Sequence, residues 1–336
     1  MLQNIFKRSW LKGPWFETLL LTLVSVLLYN IGIGFLLFLI PLQVIFIRRG
    51  DSFFITAMVI CFSLILFYKL FILSVNSAFA AAGPFMLIEF FSITLLFGGL
   101  VFLNLVKLPA VSSVLKLLAA AAAVWILSIP LILFLRGNEG FNTVIREYFA
   151  NIALFLNTNL SASESINISY NQPGIDVESL LIITREFFLR SYIFDYFVLL
   201  LFSWRSGTIL GSKSLRVKAN TTGLKSFRMP DAYIWPLILG LAGVLVNNFR
   251  SLEFLGFLVW NTALIMLFLF ALTGFGIIRF LFEKFRLARP LRFLFAFSLV
   301  ILIMTPRLGI VFLLLIPALG VSEIWIKYRI KQRSED

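Results

Sequence analysis

The chain has 336 residues, of which 60% are hydrophobic and 13% charged, and its formal net charge is +13. A soluble domain is about a quarter charged, so this composition excludes a water-soluble globular protein and predicts that lipid is the main solvent. The lack of histidine and the single cysteine, Cys61, exclude an intrachain disulfide and histidine-dependent catalysis, and they disfavour a zinc site.

The apolar segments predict an all-α, polytopic transmembrane helix bundle. A span needs roughly 17–25 mostly apolar residues. Ten candidate spans follow in chain order, at about 16–29, 31–47, 52–73, 84–106, 113–135, 179–204, 233–249, 254–281, 291–305 and 308–326. The sequence YNIG divides the first pair and TPRLG divides the last, so either pair could instead form a re-entrant hairpin, and we expect eight to ten spans.

The basic residues predict the orientation of the chain. If the N-terminus is cytoplasmic, most Lys and Arg residues fall in cytoplasmic segments, and the outer segments hold Arg136, Arg146, Arg250 and Arg307. This bias follows the positive-inside rule. It requires an even number of spans, so we expect cytoplasmic N- and C-termini and a multi-pass protein of the bacterial cytoplasmic (inner) membrane.

Two segments are predicted to lie outside the lipid. Residues 136–178 begin with apolar side chains at a helical period and continue as a Ser/Asn-rich stretch, which predicts an outer surface helix and a loop. Residues 205–231 carry six basic residues and predict a basic cytoplasmic loop facing anionic lipid. Docking of a cytoplasmic partner to this loop is the alternative, and nucleic acid is disfavoured because interleaved aromatic residues are lacking. The whole chain, 1–336, is predicted to be a single integral membrane domain.

The sixth predicted span is unusually charged. Its sequence, ITREFFLRSYIFDYFVLLLFSW, holds two charges near the outer interface, Arg190 deeper, and Asp195 near the middle. Tyr192 belongs to a polar stripe on the same helix. A charge near the bilayer centre costs roughly 2.5–3.5 kcal/mol, so the stripe should face protein or a wet cavity.

A further pair of charges is expected at a similar depth. Lys69 and Glu89 lie near the outer ends of consecutive antiparallel spans, so their side chains should be level and should pair. We interpret them as part of a polar layer that forms a substrate-binding site, whose residues are Lys69, Glu89, Glu186, Arg190, Tyr192 and Asp195. The alternative is an internal ion-pair network that only fixes helix packing.

Enzymatic signatures are missing from the sequence. REFFLR (185–190) faintly resembles an element of CPBP-type membrane proteases, but their partner histidines cannot exist here. No Walker A or Rossmann glycine pattern occurs. We therefore predict no enzyme activity, no catalytic residues, no metal site and no cofactor.

Three stretches together resemble the YybS-like family of uncharacterised multi-pass bacterial membrane proteins. They are FLIPLQVIFIRRGD (38–51), LKSFRMPDAYIWPLILG (224–240) and LIPALGVSEIWIKYR (315–329). The resemblance covers nearly the whole chain, and chain length and span count fit it. Members of this family look distantly similar to the substrate-binding subunits of energy-coupling-factor vitamin transporters, which implies a helical membrane bundle.

These features predict a membrane protein that binds or moves a small solute through an outward-facing polar pocket. The expected partners are the lipid bilayer and a small-molecule ligand. The alternative is a non-transporting membrane scaffold or assembly factor that binds a cytoplasmic protein through residues 205–231.

Overall fold

The computed structural model describes residues 13–75, 83–108, 111–163, 176–215, 223–250, 252 and 254–329. Within these ranges the chain forms α-helices, short 3-10 helices and turns, with no strand. The backbone divides into two compact units. The first contains residues 1–189 and 195–219, and the second contains residues 190–194 and 220–336.

Among its described residues, the first unit contains seven helices in chain order, and a short piece of the seventh belongs to the second unit. They are α1 (Pro14–Asn30), α2 (Leu39–Arg49), α3 (Asp51–Val75), α4 (Gly83–Leu105), α5 (Ser113–Gly137), α6 (Glu139–Ser163) and α7 (Val177–Ser214). A 3-10 helix, Gly32–Leu36, connects α1 and α2.

The second unit contains four helices and two 3-10 turns at Leu224–Ser226 and Asp231–Tyr233. The helices are α8 (Ile234–Phe249), α9 (Phe254–Lys284), α10 (Arg289–Met304) and α11 (Pro306–Ser322). The long α9 packs against both α8 and α11 and supplies many of the buried residues of this unit.

Six helical segments of the described chain are long and apolar enough to cross a membrane: 51–75, 85–105, 113–137, 177–213, 231–249 and 254–284. The described chain is therefore all-helical, and its six long apolar helices indicate a multi-pass membrane protein. Helices α1, α10 and α11 have 16 or 17 residues, and α2 has 11. At 1.5 Å per residue they measure about 17–26 Å, less than the roughly 30 Å of a bilayer core. The eight to ten predicted spans depend on these short helices and stay a prediction.

Helix α1 has its polar side chains inside and its apolar side chains outside. Its buried residues are Thr18, Thr22, Ser25 and Tyr29, which recur at helical spacing. Leucines on the other face, including Leu19 and Leu23, are about half exposed. Hydroxyl groups facing inward and leucines facing outward are expected of a helix whose solvent is lipid.

Helices α1 and α2 form a hairpin. Glu17 near the start of α1 accepts hydrogen bonds from Arg48 and Arg49 at the end of α2, including one from Arg49 Nε at 2.9 Å. The reversal is tight at Gly34, where a Cβ atom would approach the Leu28 carbonyl oxygen to 2.5 Å. A glycine is therefore required at this position for the chain to turn.

Helix α7 lies close to α2 through two glycines one turn apart. A methyl group on Gly207 would overlap the side chain of Gln43, and one on Gly211 would come within 2.8 Å of Ile47. Small residues four apart allow such close helix packing in membranes. The helix continues to Ser214, so the first ten residues of the predicted basic loop, 205–214, are helical.

Glycines also bring α9 and α11 into backbone contact. A Cβ atom on Gly274 would overlap the Ile316 carbonyl, and one on Gly320 would overlap the Phe270 carbonyl. The two contacts are reciprocal, so each helix presents its glycine to a carbonyl group of the other. This arrangement fixes the crossing of α9 and α11.

The segment 136–178 contains the helix α6, and its position on the outer surface stays a prediction. Phe141 is buried and packs against Phe85 of α4, with ring centroids 5.6 Å apart. Other apolar side chains of α6, such as Leu154 and Phe155, are exposed. The Ser/Asn-rich part of the segment, 164–175, lies outside the described residues.

Candidate functional site

The predicted pair of Lys69 and Glu89 is present. Lys69 Nζ of α3 lies 2.8 Å from Glu89 Oε1 of α4. The Tyr29 hydroxyl at the end of α1 also donates a short hydrogen bond to Glu89 Oε1. The Lys69 ammonium lies over the Tyr29 ring, 5.8 Å from its centroid. Three helices thus meet at one ion pair, which we call the Tyr29–Lys69–Glu89 cluster.

The cluster lies below the ends of the long helices. Lys69 is six residues from the end of α3, and Glu89 is six residues from the start of α4, or about 9 Å along each helix. Tyr29 is one residue from the end of α1, so the α1–α2 hairpin reverses near the same level. The α1–α2 hairpin therefore turns back about 9 Å before the ends of α3 and α4 on this side of the unit.

The ion pair is partly open, whereas the phenol is buried. The exposed fractions of the Lys69 and Glu89 side chains are 28% and 33%, and that of Tyr29 is 6%. An ionised pair that faced acyl chains would lose hydration without replacement. The exposed edge of the cluster is consequently a place where water or a polar solute is favoured over lipid.

A second polar cluster lies near the other end of α4, in the first unit. Gln43 of α2 and Asn104 of α4 exchange amide hydrogen bonds of 3.1 and 2.6 Å. Gln43 Nε2 also donates to Thr208 Oγ1 of α7 at 3.1 Å. Gln43 is fully buried. Because the three side chains satisfy one another, we interpret this cluster as structural.

The charged span forms the first part of α7, and its polar stripe is partly buried. Tyr196 is 7% exposed and donates from its hydroxyl to the Leu95 carbonyl at 2.9 Å, and Ser203 is fully buried. Asp195, in contrast, lies on an exposed face of the helix. The stripe therefore faces protein at Tyr196 and Ser203, as expected, but Asp195 does not share that environment.

The remaining predicted site residues are distributed between the two units. Glu186 and Asp195 belong to the first unit, and Arg190 and Tyr192 belong to the second. Each of the four takes part in a hydrogen-bonding, aromatic or electrostatic interaction. Lys69 and Glu89 contact each other directly within the first unit.

Arg190 is held by a cation–π contact in the second unit. Its guanidinium carbon lies 5.3 Å from the ring centroid of Trp260 on α9. The neighbouring Asn261 Oδ1 accepts two backbone hydrogen bonds of 3.0 Å, from Ile193 and Phe194 of α7. Both donors are inside a helix, so Asn261 adds a side-chain acceptor to the helix's own hydrogen-bond ladder.

The segments 224–240 and 315–329 meet at Arg329. Arg329 donates to the Lys225 and Phe227 carbonyls at 2.7 Å each, to the Thr273 carbonyl at 3.0 Å and to Glu323 Oε2 at 2.8 Å. The exposed fractions of the Arg329 and Glu323 side chains are 13% and 4%. Through these hydrogen bonds Arg329 connects the segment around Lys225 to α9 and to Glu323, the residue that follows α11.

Sequence reasoning missed Tyr29, Gln43 and Asn261. Tyr29 was visible only as part of the YNIG interruption, although its spacing from Thr18, Thr22 and Ser25 marks one helix face. The two amides each stand in an apolar run, and an uncharged polar residue in such a run signals an interhelical hydrogen bond. Their partners are distant in sequence and required the fold.

The described residues contain no group of three or more His, Cys, Asp or Glu side chains that could hold a metal ion. No protein-family model, no curated protein and no solved structure matches the chain.

Proposed function

We propose that this chain is a multi-pass membrane protein that binds or moves a small polar solute, with the Tyr29–Lys69–Glu89 cluster as the centre of its binding site. The observation that carries the proposal is the partly open Lys69–Glu89 ion pair, placed about 9 Å inside the ends of two apolar helices. Ionisable groups at such positions are functional candidates because their cost in lipid is high.

The chemistry of the cluster suits a solute with at least one charged group. Lys69 offers an ammonium and Glu89 a carboxylate on adjacent helices, and the Tyr29 hydroxyl orients the carboxylate from the buried side. A solute that carries an anionic group can bind Lys69, and a cationic group can bind Glu89. A solute that carries both groups replaces the Lys69–Glu89 ion pair with two new ion pairs and leaves no charge unpaired.

The location in a bacterial inner membrane, with both termini in the cytoplasm, is part of this proposal. The distribution of basic residues supports it. Membership in the YybS-like family is proposed on the three sequence stretches named above, two of which contact each other through Arg329.

The test is to identify what co-purifies with the full-length chain. The protein is extracted with its native lipid, and native mass spectrometry detects bound small molecules. The variant Lys69→Gln/Glu89→Gln removes both charges together and keeps similar side-chain volumes. We expect the wild-type protein to retain a polar solute and this variant to retain at least about tenfold less of it, or about 1.4 kcal/mol.

The matched control is Arg228→Gln/Asp231→Asn. These residues form an exposed ion pair of 3.0 Å in the second unit, so their neutralisation should leave solute retention unchanged. Equal retention by the wild type and the Lys69/Glu89 variant would refute the proposed site.

A scaffold function is the second candidate, and one observation favours it. The segment 223–229 is fastened by Arg329, and Met229 is 2% exposed. This part of the basic segment is consequently a fixed surface that a cytoplasmic protein could recognise. Cross-linking from Ser226, replaced by a photoreactive residue, would identify such a partner.

A further inference from the structure

The end of α9 has an unusual residue at its turn. The Leu287 N–H donates to the Phe282 carbonyl at 3.0 Å, and the Arg286 N–H donates to the Glu283 carbonyl at 3.1 Å. This pair of bonds is a Schellman motif, in which the residue after the helix adopts a left-handed conformation. That residue is Arg286, with φ of 49°.

Glycine is the usual residue at this position because it has no Cβ atom. Arg286 is the non-glycine residue with a positive φ among those that the structure describes. A left-handed conformation is unfavourable for a residue that has a Cβ atom. The turn itself needs only the backbone of Arg286, so its side chain must be explained separately.

The guanidinium of Arg286 is not needed to cap the helix, because Arg292 does so. Arg292 donates from Nε to the Leu287 carbonyl at 2.9 Å and from Nη2 to the Phe282 carbonyl at 3.4 Å. The neighbouring Glu283 is bonded to Lys225 and lies 3.8 Å from Arg279.

Three cations are left exposed at the corner between α9 and α10. Lys284, Arg286 and Arg289 are all exposed, and within the described chain none of them forms an ion pair. We call these three residues the basic corner. Its charge is uncompensated, so it attracts an anionic group.

An exposed apolar stripe begins directly beneath the basic corner. Arg289, Phe293 and Phe297 are successive i,i+4 positions of α10 and lie on one face. The two phenyl rings stack nearly parallel, with centroids 6.4 Å apart and an interplanar angle of 10°. Phe293 is 73% exposed and Phe297 56%.

We propose that the basic corner and this stripe form a binding site for an anionic phospholipid. Lys284, Arg286 and Arg289 hold the phosphate, and an acyl chain lies along Phe293 and Phe297. Arg289 and the far end of the stripe at Phe297 are about 12 Å apart along α10, eight residues at 1.5 Å each, and charge next to an apolar stripe fits a headgroup joined to a chain. A free phosphate ion would use the cations but not the phenyl rings.

The test titrates the delipidated full-length protein in detergent with phosphatidylglycerol or phosphatidylcholine, and native mass spectrometry measures bound lipid. Arg286→Gly is the informative variant, because glycine suits the left-handed turn. We expect this variant to be at least as thermally stable as the wild type. Its affinity for phosphatidylglycerol should fall about fivefold, the typical contribution of one cation near an anionic surface, with phosphatidylcholine binding unchanged.

Two further variants separate the headgroup from the acyl chain. Lys284→Gln/Arg289→Gln should weaken phosphatidylglycerol binding more than Arg286→Gly does. Phe293→Ala/Phe297→Ala should weaken the binding of both lipids. The control Lys107→Gln/Arg136→Gln removes two exposed cations of the first unit and should have no effect.

Three results would overturn the proposal. One is unchanged phosphatidylglycerol binding in Arg286→Gly and in Lys284→Gln/Arg289→Gln. Another is an equal loss in the Lys107/Arg136 control, which would indicate a general charge effect. The last is full competition by glycerol phosphate together with no effect of the phenylalanine variant, which would indicate a site for free phosphate.

Discussion

Individual polar side chains in this protein bind several partners each, and the partners come from different helices. Glu89 accepts from Tyr29 and pairs with Lys69, Gln43 bonds Asn104 and Thr208, and Arg329 bonds four acceptors. Where water is scarce, an unmet donor or acceptor is costly. Replacing one of these residues by another polar residue should therefore destabilise the fold, because the new side chain would not reach all of the same partners.

Arg329 provides the clearest test at this scale. Arg329→Lys keeps the charge but cannot direct hydrogen bonds to four acceptors, because the guanidinium donors have a fixed planar geometry. We expect a loss of about 2–3 kcal/mol in the free energy of unfolding. Chemical unfolding in detergent micelles measures it.

Lys327→Met is the matched control, since Lys327 is exposed, and it should change the free energy of unfolding by less than about 0.5 kcal/mol. Equal stability of Arg329→Lys and the wild type would show that the hydrogen bonds of Arg329 are dispensable.

Asp176 gives a pH-dependent prediction at the start of α7. The backbone and hydroxyl of Ser179 donate to its carboxylate and lower the pKa of Asp176 below its usual value. Because the folded pKa is the lower one, the stabilisation is present above the unfolded pKa and is lost as pH falls through the folded pKa. The protection factor of the Ser179 amide, which is the unprotected exchange rate divided by the observed rate at the same pH, should therefore fall in acid.

Asp176→Asn separates the titration from the cap. Asparagine also caps helices well, so this variant should protect the Ser179 amide without a pH dependence from residue 176. If the acid response persisted unchanged in Asp176→Asn, it would belong to another group.

At the scale of single elements, close packing decides where α7 ends. The sequence RSGTILGSKS (205–214) reads as a loop because it contains two glycines and few apolar residues. In the structure both glycines lie against α2, and this packing outweighs their low helix propensity. A pattern in one segment could not reveal this, because the reason lies in Gln43 and Ile47, more than 150 residues away.

Gly207→Ala tests the contact between α7 and α2. The added methyl group would overlap Gln43, so we expect a loss of about 1–3 kcal/mol. Gly98→Ala in α4 is the matched control, because nothing lies within 4 Å of its Cβ position. That variant should be neutral or more stable by up to about 1 kcal/mol. Thermal unfolding of both proteins in the same detergent distinguishes them, and similar behaviour would contradict the packing explanation.

The candidate site was predictable in part for a related reason. Lys69 and Glu89 lie at matching distances from one end of two consecutive helices, so counting residues is enough to pair them. Tyr29 joins them only because α1 is short and turns back at Gly34, and no count along the apolar segments predicts the level of that turn. Arg190 lies on α7 among other charged residues, which suggested ionic partners for it. Its cation–π partner Trp260 is distant in sequence and could not be predicted from the charged pattern.

For the whole molecule, composition was sufficient to predict a helical protein with lipid-facing helices. Leucines and phenylalanines are widely exposed on α1, α3 and α10, which water would not tolerate. The number of spans is harder to predict, since several of the described helices, α1, α2, α10 and α11 among them, are shorter than a bilayer core. Whether these short helices cross the membrane depends on where the bilayer lies, in addition to their length and composition.

Cysteine labelling tests the predicted orientation of the whole chain. Cys61 is buried, so Cys61→Ala gives a background without thiols. In that background, Lys213→Cys should react with a membrane-impermeant maleimide only after cells are opened, and Gly140→Cys should react in intact cells. Both positions are exposed. The opposite pattern would reverse the orientation, and labelling of both positions in intact cells would contradict it.

The inward-facing hydroxyls of α1 also bear on biogenesis. As the ribosome delivers this helix, Thr18 and Thr22 can already donate to carbonyls of α1, whereas Ser25 lacks its acceptor, the Phe38 carbonyl, until the start of α2 emerges. If synthesis stopped at that stage, the hydroxyl-bearing face of α1 would be exposed to phospholipids. The insertion machinery would therefore recognise α1 alone weakly. We expect α1 to enter the membrane together with the helices that follow it, and a fusion carrying α1 alone to be retained weakly and degraded quickly.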